Sequence, residues 1–198
     1  MIWTRAILVV LAFAFSVCYG QEGAVPAQPD MTTPRGVVER SEKLLIALDF
    51  DAFAECMHPS ALARFKTMMW PIFELIADKD TTANAAALAM FGLEKSDSGL
   101  VDIPPGQVFA NFMRGLANFL PEFKSAMESS RSEYIGEIAE GDSLVHIVAR
   151  SSAAAGGTEV TEMEVVTVRR YGEEWRLELS GKMEGFAQSI GQRLLKSL

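Results

Sequence analysis

The sequence is poor in the residues that most often carry enzymatic chemistry. Its 198 residues include two cysteines and two histidines. Beyond residue 20 the sequence offers only Cys56, His58 and His146 of these types, and a zinc site needs three or four protein ligands, so carboxylates would have to complete any site. The CxxC, GxSxG and HExxH motifs are absent, and so is a glycine-rich phosphate-binding loop. The sequence therefore predicts neither a metal site nor a bound cofactor, and it favours a binding protein over an enzyme.

Positive charge is also scarce. Eighteen lysines and arginines stand against 26 aspartates and glutamates, for a net charge of −8. The basic residues are scattered, and no run of them is longer than Arg169-Arg170. An acidic surface repels the phosphate backbone of nucleic acids. Nucleic-acid binding is therefore not expected.

Long apolar runs are missing except near the N-terminus. There, Arg5 precedes the uncharged stretch Ala6 to Val17, and Cys18-Tyr19-Gly20 supplies small residues at positions −3 and −1 of a cleavage site. A helix that crosses a bilayer needs about 20 residues, and this stretch is shorter. We therefore expect residues 1–20 to be a signal peptide cleaved near Gly20. The mature protein is then secreted or periplasmic, with no transmembrane segment.

A lipid anchor is the competing interpretation of the same segment. Phe15-Ser16-Val17-Cys18 loosely resembles a bacterial lipoprotein box, but Phe15 and Val17 both depart from it. A lipoprotein attached through Cys18 is therefore less favoured. After cleavage, Cys56 is the only cysteine left, so no internal disulfide can form. The stability of the mature chain must come from a packed core.

The remaining chain divides into a leader and one domain. Residues 21–32 are polar with two prolines, which favours a flexible leader. Residues 33–198 are expected to form a single domain that begins with helices. Apolar residues at helical spacing predict helices at 34–49, 51–57, 59–76, 82–91, 107–120 and 122–129, with a loop at 94–106. Pro71 lies inside the third of these and should kink or split it.

The pattern changes near residue 131. Runs rich in β-branched residues predict strands at 134–139, 144–150, 159–170 and 175–180. Polar turns at 140–143 and 171–174 would make two hairpins, linked by 152–157. An amphipathic helix follows at 183–194. Helices first and an antiparallel meander second predict an α+β fold, in which the helices cover one face of a curved sheet.

Three stretches resemble the nuclear transport factor 2-like superfamily, the cone-shaped fold of SnoaL-type polyketide cyclases and ketosteroid isomerases. They are LDFDAFAECMHPSALARF, YIGEIAEGDSLVHIVAR and EVVTVRRYGEEWRLELSG, within about residues 35–185. The resemblance implies a cone-like sheet, frequent non-catalytic roles and sheet-to-sheet homodimers. Its enzymes place an Asp or a His–Asp pair inside the cone, and no residue here matches those positions. The chain departs from the family pattern by a longer helical insert at roughly 66–130.

Cys56 and His58 are close in sequence and raise the question of a catalytic pair. Nucleophilic catalysis needs a thiolate with a base in hydrogen-bond reach. Residues two apart on a helix point away from each other, and a helix boundary before Pro59 separates these two. We therefore expect Cys56 to be a small buried apolar residue and His58 to begin the turn into the next helix.

His146 is the stronger candidate for catalysis. If the EGDS turn pairs residues whose numbers sum to 283, Glu137 lies opposite His146, and a carboxylate beside an imidazole would orient it as a general base. The alternative is an exposed cross-strand pair without a catalytic role. Asp49, Asp51 and Asp102 are further acids, for which helix-capping and loop roles are expected.

Aromatic residues and methionines are dense between residues 65 and 127. The candidates for a ligand site are Met69, Trp70, Phe73, Phe109, Phe112 and Met113. They could line a cavity for an apolar ligand, but their helical spacing fits a packed core better.

Three functions follow from these patterns. The favoured one is an exported, non-catalytic binding or scaffold domain for an unknown protein or small apolar ligand, and it could be a homodimer. The second is a periplasmic carrier of lipid or another apolar ligand. The third is a small lyase or isomerase with a pocket acid or base.

Overall fold

The computed structural model describes residues 30–78, 82–96, 98–155 and 158–197. The predicted signal peptide and residues 21–29 of the leader lie outside these ranges. The end of the leader is not a free segment: Met31 is buried, and its carbonyl oxygen accepts a hydrogen bond from the Trp175 N–H at 2.7 Å. The folded domain thus begins before residue 33, where the sequence places its start.

Seven helices lie within the described ranges. They are α1 (Pro34–Ile46), α2 (Phe50–Cys56), α3 (Pro59–Asp78), α4 (Thr82–Met90), α5 (Pro105–Phe119), α6 (Pro121–Glu128) and α7 (Gly181–Ser197). Each predicted helix is present. Pro71 does not split α3, which runs continuously past it. The predicted loop at 94–106 contains a small hairpin of β1 (Lys95–Ser96) and β2 (Gly99–Leu100), and its last residues begin α5.

Side-chain caps fix the starts of the first two helices. The Thr33 hydroxyl accepts a hydrogen bond from the Gly36 N–H at 3.0 Å, and the Asp49 carboxylate accepts one from Ala52 N–H at 3.2 Å. Gly36 also has a packing role, because a Cβ atom there would lie 1.8 Å from the Asp30 carbonyl oxygen. Glycine at this position therefore lets the N-terminal segment cross α1 at close range.

The main sheet is a four-stranded antiparallel meander. Its strands are β3 (Arg131–Glu140), β4 (Leu144–Ala155), β5 (Thr158–Tyr171) and β6 (Glu174–Leu177), in that spatial order. The prediction of two hairpins joined by a link at 152–157 is wrong in one respect. Residues 152–155 belong to β4 and continue its pairing with β5 as far as Ala155 opposite Thr158.

One face of this sheet is covered by helices, and no described helix covers the other. On β4, Val145, Ile147 and Ala149 are buried, and α1 and α6 pack against this strand. The residues between them, such as His146 and Val148, point to the opposite face because side chains alternate along a strand. This arrangement confirms the predicted α+β class.

Helix α5 lies at the centre of the helical layer, in contact with α2, α3, α4 and α6. Its aromatic rings form the core. Phe109 and Phe112 have ring centroids 5.0 Å and 5.2 Å from that of Phe65 on α3. Phe91, at the end of α4, stacks on Phe112 at 5.7 Å. No helix in the described part of the chain is long and apolar enough to cross a membrane.

Candidate functional site

Cys56 and His58 do not act on each other. The Cys56 thiol is buried at the end of α2 and lies 3.7 Å from the Ala52 carbonyl oxygen. Burial raises the pKa of this thiol to about 11, although Arg40 and Arg176 nearby lower it in part. The His58 imidazole instead bonds through Nδ1 to Ser60, whose hydroxyl oxygen is 2.7 Å away. Cys56 is thus a neutral, buried thiol and His58 is fixed at the start of α3, and both fit structural roles.

His146 lies on the open face of the sheet, and its partners differ from the predicted ones. The register places Ile138 opposite His146 and Glu137 opposite Ile147, so the prediction that Glu137 faces His146 is wrong. The carboxylate beside the imidazole belongs to Glu140, whose Oε2 lies 3.0 Å from His146 Nε2. Thr167 Oγ1 lies 3.0 Å from Nδ1. The error has a local cause: the turn holds three residues, 141–143, so Glu140 pairs with Leu144 and the pairing beside the turn is shifted by one residue. The bulge between Tyr134 and Gly136 restores the predicted register only beyond it, where Tyr134 lies opposite Ala149.

The predicted apolar ligand residues separate into two groups. Five are buried side chains of the core, none more than 1% exposed: Met69, Phe73, Phe109, Phe112 and Met113. Trp70 is only half-buried, and its indole N–H donates to the Glu74 carboxylate at 3.0 Å. The core set forms ring contacts of the kind seen in packed interiors. The three candidate acids have structural roles. Asp49 caps α2, Asp51 pairs with Arg114, and Asp102 pairs with Lys66.

A buried polar cluster on the covered face of the sheet was not predicted. Glu164 of β5 accepts a hydrogen bond from the Ser151 hydroxyl of β4 at 3.0 Å, and Ser151 Oγ lies 2.9 Å from Ser132 Oγ of β3. The Lys182 ammonium of α7 is 3.8 Å from Glu164 and also contacts Glu162. Burial raises the pKa of Glu164 to about 7. The alternation of side chains along β5 could have indicated this buried carboxylate, because Glu164 lies on the same face as Val166 and Val168.

A cleft beside Cys56, the Arg40 cleft, was not predicted either. It has a volume of about 370 Å³ and lies where α1, α2 and the start of α3 meet the β5–β6 turn. Two arginines, Arg40 and Arg176, and two glutamates, Glu55 and Glu174, line it together with apolar side chains such as Leu62. No sequence pattern connects Arg40 with Arg176, because only the fold brings their distant segments together.

The outer sheet face exposes large apolar side chains. Ile138 is 64% exposed, Val165 56% and Met163 54%, all on the face that carries His146. Val148 lies between them, opposite Val165. Isolated exposed apolar residues are common, but neighbouring ones on a single face mark an interaction surface. We call Ile138, Val148, Met163 and Val165 the outer apolar patch.

The described residues contain no group of three or more His, Cys, Asp or Glu side chains placed to hold a metal ion. Comparison with known proteins adds no relative: no family model, no curated protein and no solved structure matches this chain.

Proposed function

We propose that this protein is an exported, non-catalytic binding domain with a cone-like, nuclear transport factor 2-like architecture, and that it docks a second copy of itself through the outer sheet face. The observation that carries the proposal is the outer apolar patch, which the fold leaves open to solvent. A scaffold of this kind needs a surface for association and no reactive centre.

The size of the outer sheet face supports a second copy of the chain as the binding partner. Strands β3, β4 and β5 hold 10, 12 and 14 residues, whereas β6 holds only four. At about 3.4 Å per residue and 4.8 Å between strands, the face measures about 650 Å². A standard protein interface uses roughly 800 Å² per partner, so this face is of the size order that a specific dimer needs.

The charges around the patch also favour a second copy. Arg150 pairs with Glu133 near one end of the face, and Arg169 pairs with Glu178 near the other, at 2.8 Å and 2.5 Å. Positive and negative side chains are therefore both present on this face, although the overall charge of the chain is strongly negative. Two such faces can meet about a twofold axis without the repulsion that the rest of the surface would create.

The lyase or isomerase alternative receives less support. A general base must reach a substrate within a pocket that limits access of water. His146 lies on the open outer face, where Glu140 and Thr167 occupy both ring nitrogens. The lipid-carrier alternative, with its ligand inside the helical insert, would require the ring contacts of Phe65, Phe109 and Phe112 to open.

Sedimentation equilibrium of the purified protein tests the proposal. We expect a dimer at micromolar concentration. Val165→Lys places a charge in the centre of the patch and should weaken association at least about 100-fold, because interface cores exclude unpaired charge. Phe119→Lys is the matched control: Phe119 is 65% exposed but lies at the end of α5, away from the sheet.

Two results would overturn the proposal. One is a wild-type protein that stays monomeric at a concentration of 100 μM or above. The other is a dimer that tolerates Val165→Lys but dissociates with Phe119→Lys, which would place the interface on the helical side.

A further inference from the structure

Arg40 is a half-buried cation without an acidic partner in the part of the chain that the structure describes. Within residues 30–78, 82–96, 98–155 and 158–197, no carboxylate oxygen pairs with its guanidinium. Arg40 interacts with the Cys56 thiol and lowers the pKa of that thiol. A neutral thiol uses little of the hydrogen-bonding capacity of a guanidinium, which has five N–H donors.

Arg176 lines the same cleft. Its Nη2 bonds to the carboxylate of Glu174, which also lines the cleft. The Arg176 Nε has no hydrogen-bond partner among the described residues, but it is buried, so a ligand in the cleft would reach the terminal N–H groups and not Nε. Arg40 is therefore the guanidinium with more donors left for an anion in the 370 Å³ space, and Arg176 adds positive charge beside it.

The rest of the cleft is suited to an apolar chain. Ala54 and Leu62 line the Arg40 cleft and also a neighbouring depression of about 320 Å³ that continues to Gly106 and Gln107. The two spaces therefore adjoin, and we call them together the groove: Arg40 and Arg176 line one end, and apolar side chains lie between the two spaces. Glu55 lines both spaces, Asp51 lies at the far end, and Glu174 pairs with Arg176. These carboxylates leave the guanidinium of Arg40 as the preferred place for an anion.

We infer that this groove binds an amphipathic carboxylate, an aliphatic acid whose charged end lies on Arg40 and Arg176 and whose chain lies along Ala54 and Leu62 toward Gly106. Arginine suits this ligand because its planar guanidinium binds a carboxylate through two parallel hydrogen bonds. The combined groove has the size and the mixture of apolar walls and few polar groups that is typical of small-molecule sites. This site is separate from the outer apolar patch and does not depend on dimer formation.

Isothermal titration calorimetry with dodecanoate, held below its micellar concentration, tests the inference. Dodecanol and acetate serve as matched probes that lack the charge and the chain, respectively. We expect dodecanoate to bind and to exceed both probes in affinity by at least tenfold. Arg40→Gln keeps most of the side-chain length but removes the charge, and should weaken dodecanoate binding by about 10- to 100-fold.

Three further variants make the test specific. Arg40→Lys keeps the positive charge and should retain part of the affinity, whereas Arg176→Gln removes the second guanidinium by an independent change. Lys124→Gln is the control, because Lys124 lies on the exposed side of α6 with Glu128 as its nearest acid, 3.9 Å away. Thermal unfolding of each variant establishes that it is folded before titration.

Each outcome decides the inference. Loss of affinity in Arg40→Gln and Arg176→Gln, with Lys124→Gln unchanged, supports it. No heat of binding with dodecanoate, equal affinity for dodecanol, or unchanged affinity in both arginine variants would each overturn it. Val165→Lys should leave dodecanoate binding unchanged, so a failure of the ligand-site inference can be distinguished from a failure of the dimer proposal.

Discussion

Ser151 and Glu164 lie on neighbouring strands with their side-chain oxygens 3.0 Å apart, on the face of the sheet that the helices cover. Glu164 is 6% exposed. Burial raises the pKa of its carboxyl group to about 7, against smaller opposite effects from Lys182 and the Ser151 hydroxyl, while Glu162 adds to the rise. Near neutral pH the protein therefore holds a carboxyl group at the midpoint of its titration.

We predict that this carboxyl makes stability fall as pH rises from about 4.5 to about 7. The folded protein binds the proton of Glu164 more tightly than the unfolded chain, so stabilisation is greatest at low pH and is lost through this window. The loss should approach about 3 kcal/mol in the free energy of unfolding. Urea unfolding at a series of pH values between 4.5 and 8 measures it.

Glu164→Gln identifies the group responsible. The variant should lose most of the pH dependence between 4.5 and 7, because glutamine does not ionise. Glu162→Gln is the control, since Glu162 contacts the same Lys182 but is about one-third exposed. An unchanged slope in Glu164→Gln would assign the pH dependence to other groups.

Gly115→Ala should destabilise the protein. A Cβ atom at Gly115 would lie 2.7 Å from the Phe91 ring and 2.8 Å from the Met90 carbonyl oxygen, where α5 passes the end of α4. The expected cost is about 1–3 kcal/mol, because the backbone or the ring must move. Gly185→Ala is the control, and its expected effect on stability is the opposite. A Cβ atom at Gly185 in α7 would have no atom within 4 Å, so alanine should stabilise the helix by up to about 1 kcal/mol. Thermal and urea unfolding measure both changes.

Phe65→Ala should be among the most damaging single changes. The Phe65 ring is fully buried and contacts Phe109 and Phe112. Its removal leaves a cavity at the contact of α3 with α5, at a cost of about 3–5 kcal/mol. Urea unfolding would reveal the loss. A cost below about 1 kcal/mol would mean that the aromatic core adapts easily, which would strengthen the lipid-carrier alternative.

Cys56 should resist alkylation in the folded protein. The thiolate is the reactive form, and a pKa of about 11 leaves roughly one thiol in a thousand ionised at pH 8. Iodoacetamide labelling, followed by mass spectrometry of the peptide that contains Cys56, should show modification only after addition of denaturant. Rapid labelling of the native protein would contradict the buried, structural role.

The helices could be predicted from sequence because local rules specify them. Thr33-Pro34 and Asp49 mark helix starts through capping, and Gly92 ends α4 with φ of +58°. Gly141 and Gly172 have positive φ and mark the tight turns of the meander. The α+β class follows from this order of elements.

The register of β3 and β4 could not be predicted in the same way. A two-residue and a three-residue turn are both compatible with Glu140-Gly141-Asp142-Ser143, and this difference of one residue exchanges Glu137 for Ile138 opposite His146. The Arg40 cleft escaped prediction for a different reason. Arg40 and Arg176 meet only because α1 crosses the last strand, which is a property of the tertiary fold.

The edge of β6 has a consequence for the order of folding. Both of its outward hydrogen bonds come from the beginning of the domain: the Met31 carbonyl accepts from Trp175, and the His58 N–H donates to the Leu177 carbonyl at 2.7 Å. Most other contacts of the sheet join neighbours in sequence and can form as the chain emerges from the ribosome. Met31 and His58 must wait for the last strand to be synthesised. We therefore expect the N-terminal helices to reach their final positions late, and a chain that stops before Trp175 to leave Met31 and His58 without their partners in β6.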